Sequence, residues 1–133
     1  MLYTIKLKTD QHQQMINITA QVQAVANREK IQEGTVLVYC PHITAAITIN
    51  ENADPDVIHD MLMRLEEIYP WNHKQDRHSE GNSAAHLKAS TIGCAEVIPL
   101  SAGRLVLGTW QGIYFCEFDG PRQRSFYVKV MPD

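Results

Sequence analysis

Three histidines stand beside turn or helix-start signals: His42 in Pro41-His42-Ile43-Thr44-Ala45, His78 in Arg77-His78-Ser79-Glu80-Gly81-Asn82, and His86 in Ala85-His86-Leu87-Lys88. Three neutral imidazoles around one cation leave a coordination position open for water or substrate, the donor set of a catalytic divalent-metal site. They form no local motif. His78 and His86 lie too far apart in sequence to share one helical turn, so the trio converges only if the chain before Ala84 folds back. The competing reading is of scattered rings, solvated or hydrogen-bonded singly. His12, His59 and His73 fall in a loop, on a helix flank and in a loop, and read as solvated.

Around the imidazoles the chain carries an inventory suited to an anion. Lys88, Arg104, Arg122 and Arg124 offer cationic donors, guanidinium forks matching phosphate oxygens and lysine adding a point charge. Taken singly, each is more often a surface charge. Arg104 is the sharper candidate because Gly103, Gly108 and Gly112 bracket Thr109, Trp110 and Gln111, and glycines let backbone approach a ligand. A bulged hairpin explains those glycines equally well. Glu51, Asp54, Asp56, Glu80 and Asp119 include general bases or partners that orient an imidazole, and their spacing chooses none. Asp54 also precedes Pro55, where a carboxylate caps a helix. No Gly-x-Ser-x-Gly elbow, phosphate loop or dinucleotide fingerprint occurs, which removes support for serine hydrolase, nucleotide-hydrolysing and oxidoreductase chemistry.

The elements that must position these groups belong to one domain spanning 1–133, a length at which one core suffices. The composition, 44% hydrophobic and 20% charged, is that of an ordinary globular chain. A net charge of -3 without a basic stripe argues against nucleic acid as a partner. No apolar run approaches the ~20 residues of a membrane helix, so a soluble protein without a membrane partner is expected. Cys40, Cys94 and Cys116 are odd in number and far apart, which predicts reduced thiols in the cytoplasm, packed as small hydrophobes.

Period-two alternation predicts a strand over Tyr3–Lys8, and Met15–Ile18 reads as a second strand of the same antiparallel sheet. Thr19 is placed to cap a helix carrying Val22, Val25 and Ala26, with Gly34 closing the segment in a turn. Thr35–Cys40, apolar on both faces, predicts a central strand buried on two sides. After Pro41 the chain resumes as a strand over Ala45–Ile49. Ile58, Met61, Leu62, Leu65 and Ile68 form a helical stripe between Asp54-Pro55 and Pro70. A polar loop over Trp71–Ser83, a short helix over Ala84–Thr91 stopped by Gly93, and strands at Ala95–Ile98, Leu105–Leu107, Ile113–Phe118 and Phe126–Val130 complete the prediction.

Long runs then resemble a known family. Pro41-His42-Ile43-Thr44-Ala45-Ala46-Ile47-Thr48-Ile49-Asn50-Glu51-Asn52-Ala53-Asp54-Pro55, His78 through Lys88, Gly103-Arg104-Leu105, Leu107-Gly108-Thr109-Trp110-Gln111-Gly112-Ile113-Tyr114 and Glu117-Phe118-Asp119-Gly120-Pro121-Arg122 look like the small YjbQ-like proteins, often described as secondary thiamine-phosphate synthases. The resemblance runs nearly end to end. It implies an α+β single domain, mostly antiparallel β-sandwich-like sheets with two or three helices, assembled as a homotrimer with sites near subunit boundaries. It implies His42, His78 and His86 as metal ligands, with Glu51, Asp54 and Gln111 as catalytic candidates and Lys88, Arg104 and Thr109 as substrate-binding candidates. The implied activity joins a pyrimidine-methyl diphosphate to a thiazole phosphate and releases diphosphate. Three imidazoles favour a zinc-like divalent metal, whereas diphosphate favours magnesium. Two departures stand out: Ile43-Thr44 where the family commonly has Thr-Ser, and Ala85 where a serine often precedes the histidine. The alternatives are a phosphate-ester hydrolase and a non-catalytic homo-oligomer that holds a metal or small anion.

Overall fold

A computed structural model describes residues 1–133. Eight strands and three helices follow in the order β1 (Leu2–Lys8), β2 (Gln14–Asn17), α1 (Thr19–Glu29), β3 (Gly34–Tyr39), β4 (Ala45–Glu51), α2 (Pro55–Ile68), α3 (Ser83–Ile92), β5 (Ala95–Ser101), β6 (Arg104–Leu105), β7 (Gln111–Glu117) and β8 (Gln123–Pro132). They build two sheets in one domain, β1-β8-β3-β5-β6 and β2-β7-β4, with every pairing antiparallel. The α+β expectation holds. β1 and β2 nevertheless belong to different sheets: Tyr3 pairs with Val128, whereas Met15 pairs with Cys116. A short polar connector does not oblige successive strands to pair, and alternation in each strand is silent about the partner.

The main core lies between the sheets. Val36, Val38, Ile98, Leu100, Phe126 and Val128 meet Ile47, Ile113 and Phe115, with Ile18, Val22 and Val25 of the α1 region packed into the same cluster. A second, smaller cluster lies on the other face of β4 and β7, where Ala46, Tyr114, Cys116 and Phe118 receive Ala85 and Ala89 of α3, with Ile58, Leu62 and Leu65 of α2 packed alongside. The small alanines of α3 permit its close approach to the sheet. The doubly buried strand is therefore β7, whose residues from Gly112 to Glu117 are all buried. β3, expected in that role, is central in its sheet but buries only one face, leaving Tyr39 exposed. Its outward apolar residues Leu37 and Tyr39 mislead the pattern because they lie on an uncovered sheet surface.

Local chemistry sets the boundaries. Asp54 Oδ1 accepts the Asp56 N–H at 2.9 Å and Pro55 fills the first helical position, so α2 starts where proposed. Thr19 does not cap α1. Its hydroxyl donates to Asn17 Oδ1 at 2.7 Å and accepts the Ile113 N–H at 2.9 Å, tying the helix start to β7. Gly34 opens β3 rather than closing a turn, because a Cβ there would stand 2.2 Å from the Met131 carbonyl oxygen of the paired strand. The helix instead ends at Lys30, in the left-handed region with φ 59.

Candidate active site

Pro41 cannot donate a backbone hydrogen bond, and β3 stops at Tyr39, two residues before it, leaving its neighbour β8 short of a partner. Continuing the register in which Tyr39 faces Tyr127 would bring Pro41 opposite Ser125. The His42 ring occupies that place: its Nε2 lies 3.0 Å from the Ser125 backbone nitrogen and 3.1 Å from its carbonyl oxygen. An unprotonated Nε2 accepts the Ser125 N–H; a protonated one donates to the carbonyl. Burial, followed by the nearby Arg124 charge, lowers the His42 pKa from its ordinary value of 6.5, which keeps the ring neutral at neutral pH.

The loop before α3 folds back as convergence requires. His78 and His86 pack edge to face with ring centroids 5.4 Å apart. His42, His78 and His86 line one cleft of about 470 Å³, together with Thr44, Glu80, Asn82, Arg122 and Arg124. Three separate segments supply the rings: the turn before β4, the polar loop and α3 itself. The remaining histidines are elsewhere, His12 against Trp71 with centroids 4.4 Å apart, His59 beside Asp60 and His73 accepting from the Gln75 N–H.

The two arginines of the cleft differ in availability. Arg124 is buried, donating from Nε to Glu117 at 2.9 Å and from Nη2 to the same carboxylate and to Thr44 Oγ1. Burial pushes the Glu117 pKa upward, but hydrogen bonds from Arg124, the Asp119 N–H and Thr9, with the guanidinium charge, outweigh it and hold the carboxyl below its ordinary value. This pair is structural, because removing either partner strands a buried charge. Arg122 is half exposed and pairs with Asp119 at 2.9 Å. Asp119 is mostly buried and also accepts from Asn82, while Arg122 Nε donates to the Asp119 carbonyl at 2.7 Å, so the guanidinium is held in place with its outer edge open to an anion in the cleft. Asn82 starts α3 without capping it. Its Nδ2 donates to Asp119, and its buried Oδ1 has no partner. The cleft wall thus combines an uncapped helix N-terminus, which favours anions, with an orphan acceptor.

The other candidates lie elsewhere. Lys88 is fully buried, donating to Glu66 Oε1 at 2.6 Å and Gln13 Oε1 at 2.9 Å, so it locks α3 to α2 and β2's approach rather than facing a ligand. Glu51, Gln111 and Thr109 sit at the far end of the β4·β7 ladder: Ala45 pairs with Glu117 near the imidazoles, and Glu51 pairs with Gln111 six residues on. At ~3.3 Å per residue that separates the ends by ~20 Å. There Glu51 Oε2 accepts the Ala53 N–H, the Thr109 carbonyl accepts from Asn52, and Gln111 Oε1 accepts the Gly108 N–H. Asp54 serves as the α2 cap. Arg104 lines a separate depression of about 590 Å³ with Asn17, Thr19 and Gln23. Within one chain the carboxylate in the imidazole cleft is Glu80, and the added polar groups are Asn82 and Arg122. Glu80 and Asn82 follow His78 closely in sequence, which was the available signal for them, whereas Arg122 was a candidate by residue type alone and only the fold brings it to the imidazoles.

A family model described as UPF0047 protein YjbQ-like matches residues 3–133. The chain belongs to the YjbQ-like UPF0047 family. It is 58% identical over 131 residues to UPF0047 protein YugU of Bacillus subtilis, covering 98% of this chain and 99% of that one. It is 46% identical to a UPF0047 protein of Methanocaldococcus jannaschii over 100% of this chain and 96% of the relative. Among solved structures, an uncharacterised YjbQ/UPF0047 protein of Clostridium acetobutylicum superposes with a TM-score of 0.95 at 48% identity, covering 97% of this chain and 99% of that one. A YbjQ-like protein of unknown function from Sulfolobus solfataricus superposes equally well, TM-score 0.95, at 31% identity, with 100% and 97% covered. These YjbQ-like proteins share the two-sheet, three-helix architecture. No helix of this chain is long and apolar enough to cross a membrane.

The donor set tests the implied metal only in part. Neutral imidazoles suit a zinc-like ion; as they stand no three such side chains surround one point, with His42 Nε2 engaged by Ser125 and His78 packed on His86, so ligation would require these rings to turn. The residues match in type and share a cleft, and they stop short of ligation.

Proposed function

We propose that the imidazole cleft binds a small phosphorylated molecule and that the protein is a metal-dependent enzyme of the thiamine-phosphate-synthase type. The observation that carries this reading is the meeting of His42, His78 and His86 in one cleft beside Arg122 and the α3 N-terminus. In the condensation, the thiazole nitrogen forms a bond to the pyrimidine methylene carbon as the bond from that carbon to diphosphate oxygen breaks. No proton need be abstracted. The demand on the protein is to stabilise charge on the departing diphosphate and to orient two reactants. His78, His86 and Arg122 suit the diphosphate oxygens, and the orphan Asn82 Oδ1 suits a donor N–H on a bound ring. A divalent ion held by His42, His78 and His86 would supply additional charge neutralisation when bound. Glu80, exposed in the cleft, is the local base if the reaction is instead hydrolysis of a phosphate ester.

Homotrimer assembly belongs to this proposal. Glu51, Gln111, Thr109 and Arg104 are remote from the cleft within a chain, and an assembly that presents that end to a neighbour's imidazoles would restore the candidate set. A non-catalytic anion binder is the second reading, favoured by the structural engagement of Asp54, Gln111 and Lys88. A steady-state assay with both thiamine precursors and added zinc or magnesium separates the two. Turnover that falls at least tenfold in His86→Ala supports the enzyme; phosphate binding without turnover supports the binder. A cytoplasmic location is part of the same proposal.

A further inference from the structure

The β3·β5 ladder runs one step beyond its strands. Tyr39 faces Ala95, and the next residues continue the register, the Cys40 N–H donating to the Cys94 carbonyl at 2.8 Å. Residues directly opposite in an antiparallel pair project to the same face. A position of this kind holds its Cα atoms ~5.5 Å apart, inside the ~4.4–6.8 Å that a disulfide spans. Its Cβ atoms stand at the wide end of ~4.5–5.5 Å, so the ladder's end, where only one of the pair's two bonds is made, must close slightly to reach the ~3.5–4.5 Å of a disulfide. Both are free thiols, and their exposure differs: Cys94 is exposed and Cys40 is buried. The expectation that all three cysteines pack as small hydrophobes fails at Cys94, which ends up on the surface because Gly93 and the strand start leave it uncovered. Cys94 lines a depression of about 430 Å³ with His42, Ile43 and His86, which gives a small oxidant access. Cys116 is enclosed in the second core cluster.

We propose that Cys40 and Cys94 are a reversible thiol–disulfide pair that reacts with low-molecular-weight disulfides. The Cys94 thiolate attacks one sulfur of the incoming disulfide, forming a mixed disulfide and expelling one small thiol. Cys40, whose thiol pKa burial pushes up to about 11, then loses its proton as its sulfur attacks the Cys94 sulfur, forming the internal bond and expelling the second small thiol. This second step is therefore the slow one and quickens with pH. Two protein thiols are oxidised, one external disulfide is reduced, and the two protons leave on the two released thiols. The bond would tie the Cys40-Pro41-His42 turn to the Gly93-Cys94 turn, fixing the backbone that carries His42. This pair requires nothing of the ligand proposed for the cleft.

The test is incubation of the full chain with oxidised glutathione, then alkylation under denaturing conditions and peptide mapping. The expected product has the Cys40 and Cys94 peptides linked, only Cys116 alkylated, and full reversal by dithiothreitol. Cys40→Ser should trap glutathione on Cys94, and Cys94→Ser should leave Cys40 alkylated at the end of the incubation. The proposal is overturned by wild-type protein that keeps glutathione on Cys94, joins Cys94 to a second copy, or leaves both thiols unreacted. Because the wild-type map decides the question, a poorly folding variant does not blur it.

Discussion

At the scale of single residues, His42 carries two roles that can be measured apart. Its ring completes the β8 ladder at Ser125, and its lowered pKa, caused first by burial and then by Arg124, favours the neutral form in the folded chain. The unfolded chain therefore binds the proton more readily, so stability rises with pH across this group's titration. The contribution is fully present above the unfolded value near 6.5 and is lost as pH falls through the lower folded value. Urea midpoints measured from about pH 7 to pH 5 should fall in the wild type, and His42→Gln should flatten part of that slope. An identical slope in the variant would remove the titration from His42. Sequence alone singled out His42 because it follows a proline at a strand break, and it singled out His78 and His86 from helix-start signals. It did not reveal that Lys88 points inward, since its pairing depends on Glu66 and Gln13 from other elements, and no local pattern encodes such a partner.

At the scale of elements, the legible features were those with local causes. The Asp54-Pro55 start of α2, its apolar stripe and the alternation of β1 all arise within one turn or one strand. What escaped was pairing: which sheet β2 joins, and which strand is covered twice. Gly34 and Glu117 show the tertiary terms that decide it. A Cβ on Gly34 meets Met131 backbone rather than a flexible side chain, so Gly34→Ala should push β3 from β8 and cost ~1–3 kcal/mol of unfolding free energy in urea titrations. Glu117→Gln leaves the Arg124 guanidinium buried without its charge partner and should cost ~3–5 kcal/mol. Acid should act on the same pair: the Glu117 carboxyl is held below its ordinary value, so its contribution persists above that value and disappears as pH falls through the depressed one.

At the scale of the whole molecule, the two polar clusters at opposite ends of the β4·β7 ladder make a specific demand on assembly. One chain places the imidazoles at one end and Glu51, Gln111 and the Arg104 depression at the other. The outer face of the five-stranded sheet leaves Tyr39 and Val97 exposed, with Tyr39 stacked on Tyr127 at 6.4 Å, an apolar surface of the kind that interfaces cover. Light scattering on the purified protein should give three times the chain mass of 15.1 kDa. If sites form between chains, inactive His86→Ala and inactive Arg104→Ala should regain partial activity when refolded together. Failure to regain activity, with mixed trimers present, would confine the site to one chain.

The central claim is that His42, His78 and His86 act as one ligand set. Calorimetric titration of metal-free protein with zinc, repeated on His86→Ala, tests it directly. The account predicts one ion per chain in the wild type and an affinity at least tenfold weaker in the variant. No binding by the wild type, or equal affinity in both proteins, would contradict it.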